Sequence, residues 1–335
     1  DVRHLARFAR DEKLKIKVNC AARTVKHDIE PIANIQNEIG IPIVAYCFLG
    51  TSPIRQYVEE WDFDRLLRTT DEAITFAIKQ GLEVAFVTED TIRSHPDTLS
   101  KLFRHAISLG AKRLVLCDTV GHATRDGVKH LVEWTKELVR DTKADVKLDW
   151  HGHNDRGLGV YNALFAAEYG CDRIHGTVLG VGERVGNSAI DQLIVNLKLL
   201  GAINHDVSRL GEYVHLASKA LGVPISKNYP VFGEDAFKTA TGVHAAAVIK
   251  AERKGEDWLA DLIYSAVPAT HFGKSQCIEI GPMSGLSNVK YWLTKRGIEH
   301  DDALVEHIFS KAKDSDHVFE EREVQGFVDT FKMKP

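Results

Sequence analysis

At 335 residues, with 44% hydrophobic and 27% charged side chains, the chain has an ordinary soluble composition and suits a barrel of about 250 residues plus an appendage. Its 43 basic and 47 acidic residues leave a formal charge of −4, so no basic field exists to hold a nucleic acid. No apolar run reaches the roughly 20 residues of a membrane span and no secretory leader is visible. Five scattered cysteines without a CxxC pair (Cys20, Cys47, Cys117, Cys171, Cys277) favour reduced thiols in the cytoplasm over a disulfide scaffold or a zinc knuckle.

The opening, DVRHLARFARDEKLKIKV, reads as the middle of a helix running into a strand with no initiator methionine, so residues are expected ahead of Asp1. From there to about residue 190, β-branched runs alternate with amphipathic segments. Predicted strands are 15–21, 42–49, 83–88, 113–117, 145–151 and 173–179, and predicted helices include 65–80, 97–109, 125–142, 159–169 and 187–200. Repeated βα units imply a parallel sheet with helices outside it. Six strands suit an open doubly wound sheet, or a closed eight-stranded barrel with two strands ahead of Asp1; pattern alone leaves both open. Past residue 200 the character changes to a helix with a glycine stop, a loop, a mixed stretch over 235–265, the irregular QCIEIGPMSGLSNV, and terminal helices over 287–297 and 301–332.

The chemistry gathers where strands end. His151 and His153 are two residues apart at the end of a strand, so their side chains share a face, and parallel βα folds collect ligand groups at carboxyl ends of strands. The pair is well placed to hold a divalent metal. The next strand end carries HGTVLGVGERVGN, in which Asn187 is either a helix N-cap or an amide ligand to the same metal, with Glu183 or Arg184 supporting the ligands. Arg23, Thr51 with Ser52, Glu89 with Asp90 and Arg93, and Asp118 with Thr119 mark four more strand ends. One such residue is an ordinary cap or turn; six ends in succession argue for a site.

HGHNDRGLG (151–159) and GTVLGVGERVGN (176–187), with CDTVGHAT (117–124) and TEDTIR (88–93), resemble the 2-isopropylmalate, homocitrate and citramalate synthases, and the isopropylmalate enzymes most. The likeness runs over about residues 15–325. VFGEDAFKTATGVHAAAVIK and GPMSGLSNV resemble these synthases' C-terminal extension, which a related carbon–carbon lyase on the same barrel is not expected to carry. The resemblance implies a TIM (β/α)8 barrel, its first two strands ahead of Asp1, with a mostly helical C-terminal extension. It implies a catalytic barrel over 1–200, a linker and first subdomain over 201–285 that completes a partner's site, a helical second subdomain over 286–335, and no regulatory domain. The activity implied is condensation of acetyl-CoA with a 2-oxo acid, assisted by Mg²⁺, Mn²⁺ or Zn²⁺, in a homodimer with swapped extensions and with neither nucleic-acid nor membrane partner. Alternatives are the lyase and, if the first two strands are truly absent, a non-catalytic barrel subunit.

Carried over by position, His151, His153 and Asn187 match metal ligands, and Glu89, His244 and Tyr264 match the acid/base set. Thr119 matches a residue holding the oxo-acid carboxylate, with Tyr46, Val87, Arg23 and Thr177 as further substrate-binding positions. The sequence also departs from the family. The family's first-strand Arg-Asp pair does not occur in it. Tyr46 stands where isopropylmalate enzymes commonly have a histidine, and Val87 stands where a serine is usual. Ala85 replaces the arginine that homocitrate synthases use for a second carboxylate. Apolar Val87 thus favours a branched aliphatic acid, 3-methyl-2-oxobutanoate, giving 2-isopropylmalate for leucine biosynthesis. With no further regulatory domain after FVDTFKMKP, no leucine inhibition through one is expected.

Overall fold

Strands that are apolar on both faces can be buried only between an outer layer of helices and an inner core, and the alternation of side chains sorts them accordingly. The computed structural model describes residues 1–333 and separates into two units, Asp1–Leu197 and a second beginning at Lys198. The first contains α1 (Val2–Asp11), β1 (Val18–Arg23), α2 (Lys26–Ile39), β2 (Ile43–Gly50), α3 (Pro53–Glu59), α4 (Phe63–Lys79) and β3 (Glu83–Glu89). It continues through α5 (Pro96–Ser108), β4 (Arg113–Asp118), α6 (Arg125–Thr142), β5 (Lys147–Gly152), α7 (Gly159–Tyr169), β6 (Arg173–Ile174) and the start of α8 (Ile190–Leu199). The strands lie in sequence order, and every neighbouring pair is parallel.

Cys47, Val84, Phe86, Leu114, Leu116, Leu148 and Trp150 pack outward into the core beneath the helices. Each large side chain buried there contributes about 1.5–3 kcal/mol. The alternate positions, Val44, Tyr46, Ala85, Val87, Val115 and Cys117, face the other way and form a separate inner cluster. Helix starts follow from local chemistry: Ser52, Asp62 and Thr124 each accept a backbone N–H three residues on, which satisfies an otherwise orphaned donor.

Two elements depart from the pattern expected of them. The α2 helix is hidden in the sequence by Pro31, yet Ile29, Ile32, Ala33 and Ile39 supply its buried stripe. The sixth strand stops pairing at Ile174, well short of residue 179. Beyond it Thr177 donates its N–H to Ser188 O at 3.0 Å and accepts from Ile190 N at 2.8 Å. Gly176 permits this return, because a Cβ there would lie 2.9 Å from Ser188 O.

The second unit is mainly helical: α9 (Leu210–Leu221), β7 (Lys238–Thr239), α10 (Gly242–Arg253), α11 (Asp257–Leu262), β8 (Cys277–Ile278), α12 (Leu286–Lys295), α13 (Asp302–Lys313) and α14 (Glu321–Lys332). Its largest core includes Trp292, Leu293, Leu304, Ile308 and Val324. The terminal helix predicted over 301–332 is two helices, because Phe319 turns inward between them and donates its N–H to Ile280 O at 2.8 Å. The SGLSN turn works as a clasp. Ser284 and Asn288 both donate to Ala240 O, at 2.7 and 2.9 Å, and the Asn288 carboxamide oxygen accepts from Gly285 N at 3.1 Å.

Candidate active site

Period-two alternation along β5 points Asp149, His151 and, just past its end, His153 to the inner face. The His151 and His153 rings stand 5.3 Å apart at 83°, and His175 comes within 5.6 Å of His151. The end of β5 is stitched on both sides: His153 N donates to Asp118 O at 3.1 Å, and Asn154 N to Gly186 O at 3.0 Å. A β-bridge between His153 and Asn187 sets those two residues side by side. Asn187 therefore does not open a helix; α8 starts three residues later. Its Nδ2 donates to Val181 O at 3.2 Å, which leaves Oδ1 turned away. Gly186 makes this fold of the loop possible, with φ +95° and a would-be Cβ only 1.9 Å from Gly180 O.

Asn187 Oδ1 and His153 Nδ1 are both buried and have no hydrogen-bond partner. Leaving such atoms unsatisfied costs about 1–3 kcal/mol each, so a group that accepts their lone pairs is missing from the account. A divalent ion fits. Burial, then the neighbouring His175 and His153, lowers the His151 pKa to about 4. Burial, then the Arg184 charge, lowers that of His153, so both rings keep a lone pair at neutral pH. Among the described residues no three His, Cys, Asp or Glu side chains converge on a metal position; two imidazoles and one amide oxygen make a mixed donor set of the kind such an ion accepts.

The surrounding loops are clamped. Arg184 donates to both Asp155 oxygens, at 2.8 and 2.9 Å, and to Thr119 O at 2.7 Å. Asn154 Oδ1 accepts from Gly159 N at 2.9 Å and so shapes the turn into α7. Thr119 Oγ1 accepts from Asp90 N at 2.8 Å, which leaves its own hydroxyl proton free to donate. Glu89 lies 3.3 Å from Arg55 Nε.

These groups open on a cavity of about 970 Å³. Of the residues named from sequence, His151, His153, Glu89, Thr119, Tyr46 and Val87 line it, and Asn187 stands beside His153. Arg23 and Thr177 do not line it. Arg23 is largely exposed, makes a two-point pair with Asp28 at 2.7 and 2.9 Å, and lines a separate cavity with Arg55, Trp61 and Arg65. The Thr177 hydroxyl donates to Val181 O at 2.7 Å and fastens the loop to itself. His244 and Tyr264 belong to the second unit, where their rings lie 4.2 Å apart on an exposed face.

Sequence reasoning missed the inner end of the cavity. Asp149 is fully buried there, bonded to Arg113 Nε at 2.7 Å and Tyr46 OH at 2.8 Å, with His175 Nε2 at 3.2 Å. Burial pushes its pKa up, but the His175 and Arg113 contacts outweigh burial and hold it below the usual carboxylate value. Burial, then the Asp149 charge, raises Tyr46 to about 12. The available signal was a charge at each of 113, 149 and 173, the first residue or same-face neighbour of otherwise apolar runs.

The sequence matches the HMGL-like family over residues 1–216. It is 32% identical over 306 residues to 2-isopropylmalate synthase of Halothermothrix orenii, covering 89% of this chain and 57% of that one. It is 30% identical over 325 residues to homocitrate synthase of Sulfolobus acidocaldarius, covering 95% and 64%. The chain therefore spans less than two thirds of the length of either relative. The HMG-CoA lyase of Bacillus subtilis superposes with a TM-score of 0.53 at 19% identity over 65% of this chain and 74% of the lyase, a likeness of fold. The six parallel strands in order, their helical outer layer, the superposition and the family match give one conclusion: the chain is an HMGL-like TIM-barrel protein with a helical C-terminal region, and belongs to that family with the 2-isopropylmalate and homocitrate synthases.

Proposed function

We propose that this protein condenses acetyl-CoA with a 2-oxo acid, making a carbon–carbon bond and releasing CoA. The observation that carries the reading is the pair of buried, partnerless acceptor atoms, His153 Nδ1 and Asn187 Oδ1, bridged side by side at a cavity. The printed activities of the synthase relatives, which use this chemistry, support it.

His151, His153 and Asn187 would hold the divalent ion, Mg²⁺, Mn²⁺ or Zn²⁺, whose contribution when bound is to polarise the oxo group and orient it. Thr119 donates its free hydroxyl proton to the oxo acid's carboxylate. Arg184 and Asp155 fix the loop that carries the ligands. A base takes a proton from the acetyl methyl group, the resulting carbanion equivalent attacks the oxo carbon, and water then cleaves the thioester. The acid/base set is His244, Tyr264 and Glu89. The His244–Tyr264 pair would act on the barrel of a second copy in a cytoplasmic homodimer. On the cavity wall Val87 supports an aliphatic acid, 3-methyl-2-oxobutanoate, which would give 2-isopropylmalate for leucine biosynthesis.

The test is CoA release from acetyl-CoA with 3-methyl-2-oxobutanoate, 2-oxoglutarate and pyruvate. Each acid is run with and without EDTA, with Mn²⁺ added back. Release with at least one acid, abolished by EDTA and restored by the metal, is the expected result. No release from metal-loaded protein with any acid sinks the reading.

A further inference from the structure

The TEDTIR segment (88–93) that ends β3 holds a buried charge pair to which the condensation chemistry gives no role. Asp90 is 1% exposed, and its backbone stands at φ +62°, ψ +39°, a left-handed conformation that an L side chain enters only at a cost. The ordinary reason for an aspartate there would be to cap the one-turn 3-10 helix Thr91–Arg93, but its carboxylate makes no capping bond. It is gripped instead by Arg93, whose Nε donates to Oδ1 at 2.8 Å and Nη2 to Oδ2 at 2.7 Å. That pairing offsets the cost of taking the carboxylate out of water. Asp118, a buried carboxylate on β4, takes the His122 and Ala123 N–H groups at 2.7 and 3.2 Å, so Arg93 is left to Asp90. Ser94 Oγ donates to Asp90 O at 2.9 Å and lies 2.7 Å from Thr51 Oγ1, which ties the turn to the end of β2.

What the turn delivers is one N–H. The β3–β4 ladder ends at the Thr88–Leu116 pair, and beyond it side chains join the two strand ends. Thr91 Oγ1 accepts from Cys117 N at 2.8 Å, and Thr119 Oγ1 accepts from Asp90 N at 2.8 Å. A backbone N–H can only donate, so it occupies a lone pair of Thr119 Oγ1 and turns the hydroxyl proton toward another acceptor. Thr119 lines the barrel cavity, and Arg184 holds its carbonyl oxygen at 2.7 Å. With both of its oxygens fixed, Thr119 presents its proton in one direction. A different φ at Asp90 would rotate the Glu89–Asp90 peptide plane against the anchored Thr91–Arg93 segment and take the N–H off Thr119.

We infer that Asp90, locked by Arg93, is a positioning residue that fixes the rotamer of Thr119 and so sets how tightly the oxo acid's carboxylate is held. The inference rests on the condensation reading, which gives Thr119 its contact with that carboxylate. A donor already aimed at a charged group binds it more tightly than one that must first be ordered, so the effect falls on substrate affinity. Neither Asp90 nor Arg93 lines the cavity, so their influence on the acid passes through a neighbour, and the N–H bond identifies Thr119 as that neighbour.

The test is a double-mutant cycle in the CoA-release assay on Mn²⁺-supplemented protein, with whichever of 3-methyl-2-oxobutanoate, 2-oxoglutarate and pyruvate wild type uses best. Asp90→Ala loses the ion pair and disfavours the left-handed turn. It is expected to raise KM for the oxo acid at least about tenfold while KM for acetyl-CoA stays within about twofold. In a Thr119→Val background the same substitution is expected to change the oxo-acid KM by less than about twofold. Asp90→Asn tolerates the turn and still accepts from Arg93, so it is expected to recover most of the loss. An equal factor in both backgrounds overturns the inference. So does a loss that Asp90→Asn does not relieve, or a matching rise in the acetyl-CoA KM. Should Asp90→Ala fail to fold, Asp90→Gly takes its place in the cycle, since glycine enters the turn freely and only the hold of Arg93 is lost. If no acid releases CoA, the condensation reading fails on its own, and the cycle is read on the dissociation constants of the same three acids by titration calorimetry. Coupling between Asp90 and Thr119 there supports the inference; equal factors, or no binding of any acid, overturn it.

Discussion

Arg184 has a backbone φ of +56°, a left-handed conformation that costs a non-glycine residue about 1–3 kcal/mol, and from there it bonds Asp155 and the Thr119 carbonyl. Strain kept at that position is consistent with a clamp that holds the His153 and Asn187 segments together. Arg184→Ala is expected to lower Mn²⁺ affinity about 10–100-fold by titration calorimetry, with the far-ultraviolet circular dichroism spectrum retained. Unchanged affinity would mean that the loops hold the ligands unaided. Asp149 is the opposite kind of residue, a buried carboxylate whose removal uncovers charge. Asp149→Asn removes the carboxylate that Arg113 and Arg173 share, which should cost about 3 kcal/mol in urea unfolding. A loss under about 1 kcal/mol would contradict that balance of charge. The histidine ligand candidates were legible in sequence, because two imidazoles on one face of a strand end are rare. The Asp149 group was not, because its members come from four strands and meet only through register.

At the scale of elements, the βα order and the helices over 125–142 and 159–169 could be read from hydrophobic period alone, and the structure places α6 and α7 at those residues. The end of β6 could not, because its β-branched run leaves the sheet where a glycine lets the following loop return. Packing between helices in the second unit also lay beyond the sequence, and Tyr291 shows what it does. Its hydroxyl donates from α12 to Glu252 on α10 at 2.8 Å, and Lys295 pairs with the same carboxylate at 3.1 Å. Burial, then the Glu252 bond, raises the Tyr291 pKa to about 12. The unfolded side chain loses its proton first as pH rises through about 10, so stability falls from there until the folded tyrosine also titrates near 12. Tyr291→Phe should be less stable than wild type near neutral pH and show a shallower alkaline decline. Parallel declines in urea midpoint for both proteins between about pH 9 and about pH 12 would remove Tyr291 as a cause.

For the whole molecule, the two units divide the proposed chemistry between them. The candidate metal ligands lie in the barrel unit, and His244 with Tyr264 lies on an exposed face of the second. An exposed imidazole tilted against a tyrosine leaves a reacting carbon open to water, so the proposed role of His244 as an acid or base depends on its being delivered to a barrel. If a second copy makes the delivery under two-fold symmetry, two dead variants can complement each other. His153→Ala has a defective barrel with an intact His244, and His244→Ala the reverse. Equal co-refolding makes about half the dimers mixed, and each mixed dimer joins one intact barrel to one intact His244, so activity should return to about a quarter of wild type. Delivery within a single chain predicts no recovery, since every site would then combine one intact and one defective element. Recovery must also disappear on dilution below the dimer dissociation constant, where sedimentation should report monomers. A monomer with full activity, or mixed dimers that stay inactive, would refute exchange of the second unit between copies and leave His244 without an acid/base role in another subunit's barrel.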